Sequence, residues 1–190
     1  MSESAYAYKE EINNYEIING EVYMMARPNT KHMIVESNII TAFKNYLKGK
    51  HCIPFNETDV FFDDGNNFVP DVMIICDPEK IEDDGIHGTP DLVVEILSPS
   101  TARKDRNEKY FIYEKYGVKE YWIVSPGDKS VEVYLLKDGK FVLDDVYPIY
   151  KDYEWDKLTD EEKAEVKFSI KVSLYDDFEV SLADIFEDVK

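Results

Sequence analysis

Four charged side chains interrupt apolar patterns in this chain, and such interruptions are where chemistry is to be sought. Asp71 follows Pro70 and opens the run Val72-Met-Ile-Ile75. Glu95 sits inside Leu92-Val-Val-Glu-Ile-Leu97, with apolar neighbours on both sides. Glu36 lies in line with Ile40 and Phe43 on a helical stripe, and Lys109 has Ile112, Tyr113 and Tyr116 at helical spacing from it. Burying an unpaired charge is costly, so a sequence keeps one only with a partner or a task. Two or three carboxylates converging with one lysine make a pocket for a hard divalent cation. Mg²⁺ takes oxygen ligands, keeps several waters and is held by one or two carboxylates plus a substrate phosphate. The ammonium then offsets charge on a phosphoryl group or orients the attacking water. From spacing alone a structural account serves equally well: Glu95 and Lys109 as a buried ion pair, and Asp71 as a cap at a strand end.

Other residues fit a chemical role less well. His32 stands one turn before Glu36 and can reach it, but a histidine at a helix start is more often a surface or packing residue. No second histidine follows at metal spacing. Asp63-Asp-Gly-Asn-Asn67 matches a calcium loop in composition only, lacking its sixth-position glycine and closing glutamate, and reads as a turn. Ser98-Pro-Ser-Thr101 lacks the G-x-S-x-G of a nucleophile elbow, and capping of the next helix explains it better. Trp122 and most tyrosines and phenylalanines read as core. With neither G-x-G-x-x-G nor G-x-x-x-x-G-K-[ST] present, nucleotide-cofactor enzymes drop out as leading readings.

The elements that must position these residues follow one another plainly. Tyr15-Glu-Ile-Ile18 and Glu21-Val-Tyr-Met24 flank Asn19-Gly20, the pair best suited to a type I′ turn, and form a β-hairpin. Residues 30–47 read as a helix with Thr30 as N-cap, a stripe of Met33, Glu36, Ile40, Phe43 and Leu47, and Gly49 past its end. Residues 57–62 and 68–75 are predicted strands joined by the 63–67 loop, and 76–90 an acidic connection. Residues 92–97 are hydrophobic enough for a central strand covered on both faces. A helix follows, capped by Ser100 or Thr101, with Asp105 suiting the dipole in its first turn, and it stops at Gly117. Residues 120–124, 131–136 and 141–146 are further strands. Residues 158–166 form a short helix whose Thr159-x-x-Glu162 fits a capping box. The chain then runs through Phe178-Glu-Val-Ser-Leu182 to an Ile185-Phe186 pair that packs onto the body. With no repeat or linker, residues 1–190 read as a single mixed α/β domain.

The chain has 190 residues, of which 44% are hydrophobic and 14% aromatic, which excludes a disordered or low-complexity protein. That length suits one domain burying about 70% of its unfolded surface. No apolar run approaches the roughly 18–20 residues of a membrane span. The segment MSESAYAYKEEINNYE has neither the basic n-region nor the apolar h-region of a secretory signal. Cys52 and Cys76 read as core thiols of a reducing cytoplasm, too few by themselves for a zinc site. The formal charge is −18, which at face value argues against nucleic acid. The charge is uneven, however: residues 52–91 carry −10 and 138–190 carry −9, whereas 21–51 carry +3 and 92–137 carry +1. The two stretches without acidic excess hold Glu36 and Lys109, so nucleic acid becomes less favoured but not excluded.

Pro70-Asp71, then Gly88-Thr-Pro-Asp-Leu-Val-Val-Glu-Ile-Leu-Ser-Pro-Ser-Thr101, Asp105, Lys109, Tyr113 and Gly117-Val-Lys-Glu-Tyr-Trp-Ile-Val124, preceded by Tyr15-Glu-Ile-Ile-Asn-Gly-Glu21 and Pro28 to His32, resemble the Uma-type putative restriction endonuclease family. That family belongs to the PD-(D/E)XK nucleases, and the similarity spans roughly residues 15–150. It implies a restriction-endonuclease-like α+β core, a mixed β-sheet flanked by helices, with an acidic metal site at strand ends. Asp71 matches the Asp of the PD pair and Glu95 the acidic residue of the (D/E)XK strand. The pattern departs at Leu97, where a lysine would stand; Lys109, on the following helix, is the matching position. Glu36 matches the carboxylate that the first helix often adds. Pro90-Asp91 is a second PD pair, which makes Asp91 the alternative ligand to Asp71. Residues 151–167 look like an acidic insertion without a functional account.

Together the residues and the resemblance predict a Mg²⁺- or Mn²⁺-dependent endonuclease hydrolysing DNA. Asp71, Glu95 and the Ile96 backbone carbonyl bind the metal, Glu36 assists through water, and Lys109 orients the nucleophilic water and offsets transition-state charge. The expected setting is cytoplasmic, without a membrane partner. A homodimer is expected from the fold type, because two-strand cutting often uses two sites. Two alternatives stay open. One is a nuclease-fold binding or assembly module that does not cut, favoured by the −18 charge and the lack of a DNA-reading motif. The other is a hydrolase of a smaller phosphate ester.

Overall fold

In the computed structural model, which describes residues 15–63, 65–99 and 101–190, β1 (Tyr15–Ile18) and β2 (Glu21–Met24) form the expected hairpin, with Asn19 and Gly20 turning it at φ of 51° and 81°. Then come α1 (Thr30–Leu47), β3 (Ile53–Asn56), β4 (Val60–Asp63), β5 (Asn66–Phe68) and β6 (Val72–Ile75). A 3-10 turn (Pro78–Lys80), β7 (Ile81–Glu82) and β8 (Gly85–His87) lead to β9 (Leu92–Ile96). Next, α2 (Ala102–Lys104), a π-helical turn (Asp105–Lys109) and α3 (Tyr110–Tyr116) follow end to end. The chain closes with β10 (Glu120–Ser125), β11 (Ser130–Lys137), β12 (Lys140–Pro148), α4 (Asp152–Trp155), α5 (Asp160–Glu165), β13 (Ser169–Lys171), β14 (Glu179–Ser181) and α6 (Leu182–Ile185).

Among the described residues the strands make two six-stranded sheets, ordered β12-β11-β10-β9-β6-β3 and β2-β1-β5-β4-β8-β7, and the pair β13-β14. In the first sheet β9 and β10 run parallel and the other pairings are antiparallel. β9 is buried at every position, as its continuous hydrophobicity requires. Alternation along the strands divides the core in two. Val72, Ile74, Leu92, Val94 and Trp122 pack with Val35, Ile39, Phe43 and Leu47 of α1. Met73, Ile75, Val93, Tyr121 and Ile123 pack the other way, with Ile112 and Tyr113 of α3 and with Ile18, Val60 and Phe68 of the second sheet. Each full burial of such a side chain contributes about 1.5–3 kcal/mol. By the two-residue period, Glu95 shares the face of Val93 and Ile123 and points towards α3 and the hairpin.

Several local expectations change. Asn29, not Thr30, caps α1, its Oδ1 accepting from the His32 amide at 3.1 Å. Met33 is exposed, and the buried stripe runs instead through His32, Val35, Glu36, Ile39, Ile40, Phe43 and Leu47. The predicted strand 68–75 breaks around Pro70, which cannot donate to a ladder, into β5 of one sheet and β6 of the other. The 76–90 connection contains the 3-10 turn and the β7–β8 hairpin. The Thr101 side chain caps no helix amide; its hydroxyl accepts from the Ser98 amide at 3.2 Å.

Cys52 and Cys76 are not free thiols but form a disulfide. The register that opposes Ile53 to Ile75 also opposes these two residues one step further along. The capping box at Thr159 and Glu162 is present, and Ile185 and Phe186 are buried. No helix among the described residues is long and apolar enough to cross a membrane. The readings of residues 1–14, of Asp64 within its loop and of Ser100 as a cap concern positions outside those described.

Candidate active site

Where β6 enters the sheet, Asp71 turns its carboxylate across to the end of β9. Its Oδ2 accepts from the Ile96 amide at 2.5 Å, and its Oδ1 lies 3.0 Å from His32 Nε2. The β6–β9 register pairs Val72 with Val94, so the residue before Val72 falls beside Glu95 and Ile96. His32 reaches this point because the Asn29 cap starts α1 at the same end of the sheet. Burial opposes charging of its imidazole, but the hydrogen bond to Asp71 and the Asp71, Glu36 and Glu57 carboxylates outweigh it and raise its pKa.

Glu95 is buried at the end of β9, and its Oε1 accepts from Lys109 Nζ at 2.9 Å and from the Tyr113 hydroxyl at 2.6 Å. The ammonium also meets Glu16 Oε1 of β1 at 2.6 Å, and that same oxygen accepts from the Val69 amide at 3.1 Å. Burial, and then the Asp105, Asp71 and Glu16 charges, push the Glu95 carboxyl well above the ordinary range despite the opposing Lys109. Burial acts to lower the Lys109 pKa, but Glu95, Glu16 and Asp105 overcome it and hold the ammonium protonated. Asp105 faces the same place from the π-helical turn, 1% exposed. Its pKa is raised to about 6 by burial, helped by Asp71 and Glu16, while Lys109 and Thr101 pull the other way.

These groups line one cavity of about 240 Å³. Glu16, His32, Glu57, Asp71, Glu95, Asp105 and Lys109 form its charged lining, and Arg27 and Lys104 add two further cations. Arg27 is exposed, and Lys104 lies over the Tyr23 ring, 3.8 Å from its centroid. A cavity of about 310 Å³ beneath Trp155 and Phe168 has no charged lining residue and offers no comparable chemistry.

Of the residues singled out in the sequence, Asp71, Glu95, Ile96 and Lys109 come together in this cavity. Glu36 does not line it. It projects from α1 on the other side of the sheet from Glu95, where its Oε1 accepts from Asn56 Nδ2 at 2.9 Å. Asp91 precedes β9 at the end opposite Glu95, roughly 13 Å away by strand rise. There its carboxylate accepts from the Cys76 amide at 2.8 Å and from Lys119 at 2.7 Å.

Sequence reasoning passed over three contributors. His32 was set aside as a surface or packing residue, yet it holds Asp71. Tyr113 reads as helix stripe, and only contact identifies it as a donor to Glu95. Glu16 alone carried a usable signal: it alternates with Ile18 on the buried face of β1, so an acid there needs a cation.

The fold is an α+β architecture that brings carboxylates and a lysine together at the strand ends of a mixed sheet. The chain belongs to the Uma2 family, described as putative restriction endonucleases, whose family model matches residues 3–160. An uncharacterized protein of Synechocystis sp. is 30% identical over 127 residues, covering 65% of this chain and 67% of that protein. A crystal structure of a putative nuclease belonging to DUF820 from Anabaena variabilis superposes with a TM-score of 0.63 at 18% identity, covering 90% of this chain and 89% of that one. That structural likeness establishes the fold. Family and fold together support a nuclease.

Proposed function

We propose that this protein hydrolyses phosphodiester bonds of DNA with the help of Mg²⁺ or Mn²⁺. The observation that carries the reading is the meeting of Asp71, Glu95 and Lys109, from three separate elements, in one cavity. The anionic groups there are all carboxylates, a donor set suited to a hard cation. Among the described residues, no three histidine, cysteine or acidic side chains of this cavity bring ligand atoms within 4.8 Å of one another. A cation that keeps part of its water shell and uses one or two carboxylates, as Mg²⁺ does, needs no such cluster. Asp71 and Glu95, with the Ile96 carbonyl, would hold it. Once bound, it supplies Lewis acidity to a phosphoryl oxygen and acidifies water.

The remaining roles belong to the chain's own groups. The Ile96 amide and His32 hold the Asp71 carboxylate in one orientation. The Tyr113 hydroxyl does the same for Glu95. Lys109 keeps its proton and offsets charge that develops on the phosphoryl oxygens. Arg27 and Lys104 offer contacts to flanking phosphates on an otherwise acidic molecule, so affinity should fall steeply with salt. Cutting both strands often uses two such sites, and a homodimer is part of the proposal.

The test is plasmid cleavage by the purified protein with Mn²⁺ and with chelator. Wild type should cut only with metal, and Lys109→Ala and Glu95→Gln should each lose about 10²–10³ in rate. Failure to cut DNA under either condition, or equal cutting by Lys109→Ala, overturns the reading.

A further inference from the structure

Among the described residues, the buried carboxylates of this chain nearly all have partners. Glu16 accepts from Val69 and Lys109, Glu36 from Asn56, and Glu95 from Lys109 and Tyr113. Asp91 accepts from the Cys76 amide and Lys119. Glu114 accepts from Lys140 and the Phe141 amide, and Glu120 from Trp122 and the Ser173 amide. Asp105 is the exception. Both of its oxygens are shut off from solvent, and neither has a donor at hydrogen-bonding geometry. The Thr101 hydroxyl, which accepts from the Ser98 amide, lies beside it and favours its charged form, but stands outside hydrogen-bonding geometry to either oxygen. Lys109, one turn on, is spent on Glu95 and Glu16 and makes no ion pair with Asp105 within 4.0 Å.

A buried carboxylate left without donors costs free energy, and chains retain one where something arrives to satisfy it. Asp105 lines the cavity that holds Asp71 and Glu95. The turn that carries it is π-helical, a feature frequent at functional sites, and it presents Asp105 and Lys109 to the same cavity. We propose that Asp105 is a third carboxylate of the cation site, engaging the divalent cation through its coordinated water. Direct ligation is not required, and the spread of the ligand oxygens argues against it. A hydrated cation instead brings the O–H donors that Asp105 lacks. This inference rests on the reading of Asp71 and Glu95 as cation ligands.

The test is calorimetric titration of the full-length protein with Mn²⁺ alone, without DNA, alongside melting of the metal-free protein near pH 8. Asp105→Asn should bind Mn²⁺ about 10–100-fold more weakly, the range seen for groups one shell out. Metal-free, it should melt at or above wild type, because an uncompensated charge has been removed. Asp105→Ser, which leaves room for water, should behave the same way and covers the case of an asparagine that fits poorly. Wild-type affinity in both variants overturns the inference while leaving the parent reading intact, provided Asp71→Asn loses binding. If Asp71→Asn also binds like wild type, or wild type does not bind, the parent reading and this inference fall together. Metal-free variants that both melt well below wild type would mark Asp105 as a structural partner of Lys109 and overturn the inference as well.

Discussion

Lys109 is the residue on which the electrostatics of the cavity turn. One ammonium answers Glu95 and Glu16 directly and Asp105 at longer range, so the site carries more acid than its resident cation can balance. His32, from α1, adds a second positive charge beside Asp71 when it is protonated. Because its folded-state pKa is raised, the native state holds a proton that the unfolded chain releases first as pH rises. The stability this contributes is complete below the unfolded value near 6.5 and is lost as pH climbs through the raised value. His32→Gln retains a polar contact without the charge. In thermal melts, the advantage of wild type over His32→Gln should be largest just below pH 6.5 and should shrink on the alkaline side. A constant difference from about pH 5 to 9 would count against a charged His32–Asp71 pair.

At the scale of elements, the site is a meeting of ends. β6 and β9 deliver Asp71 and Glu95, α1 delivers His32 through its Asn29 cap, and the π-helical turn delivers Asp105 and Lys109. The helix behind that turn ends at Gly117, whose φ of 84° is the left-handed conformation and whose amide closes on Tyr113 and Glu114 at 3.1 Å. A Cβ there would meet nothing within 4 Å, so Gly117→Ala tests backbone conformation alone. The expected cost is about 1–2 kcal/mol, a fall of roughly 2–8 °C in melting temperature for a chain of this size. Mn²⁺ binding should survive, since the cap is a turn or more from Lys109 and Tyr113 keeps its hydroxyl contact. An unchanged melting temperature would show that the helix end relaxes into another cap.

For the molecule as a whole, the disulfide and the site occupy opposite ends of the β3–β6 pair. Cys52–Cys76 lies beyond Ile53 and Ile75, whereas Asn56 and Val72, at the other end, adjoin Glu36 and Asp71. The bridge spans a sequence separation of 24, for which loop-closure entropy predicts about 3 kcal/mol of stabilisation. Adding dithiothreitol should therefore lower the melting temperature of wild type but not of Cys52→Ser, and Mn²⁺ affinity should not change in either. Equal melting of wild type with and without reductant would show that the pair contributes nothing in solution. The −18 charge now has a partial address: five acids line the cavity, and a bound divalent cation would offset part of that excess.

Much of this was legible in the residues. The hairpin at Asn19-Gly20, the helix 30–47, the central strand β9 and the helix stop at Gly117 follow from turn chemistry, periodicity and capping, which are local in sequence. Asp71, Glu95 and Lys109 were legible because a charge inside an apolar pattern is visible without coordinates. Glu36 broke its pattern in the same way, but sequence cannot tell which side of a sheet a helix covers. Strand alternation sends Glu95 towards α3 and leaves Glu36 across the sheet with Asn56. The cysteine pairing, the His32–Asp71 contact, the Glu16–Lys109 pair and the isolation of Asp105 depend on groups far apart in the chain. Local pattern determined which side chains must be buried with charge; only the register of β3, β6 and β9 and the packing of α1 and the π-helical turn decided which of those charges meet.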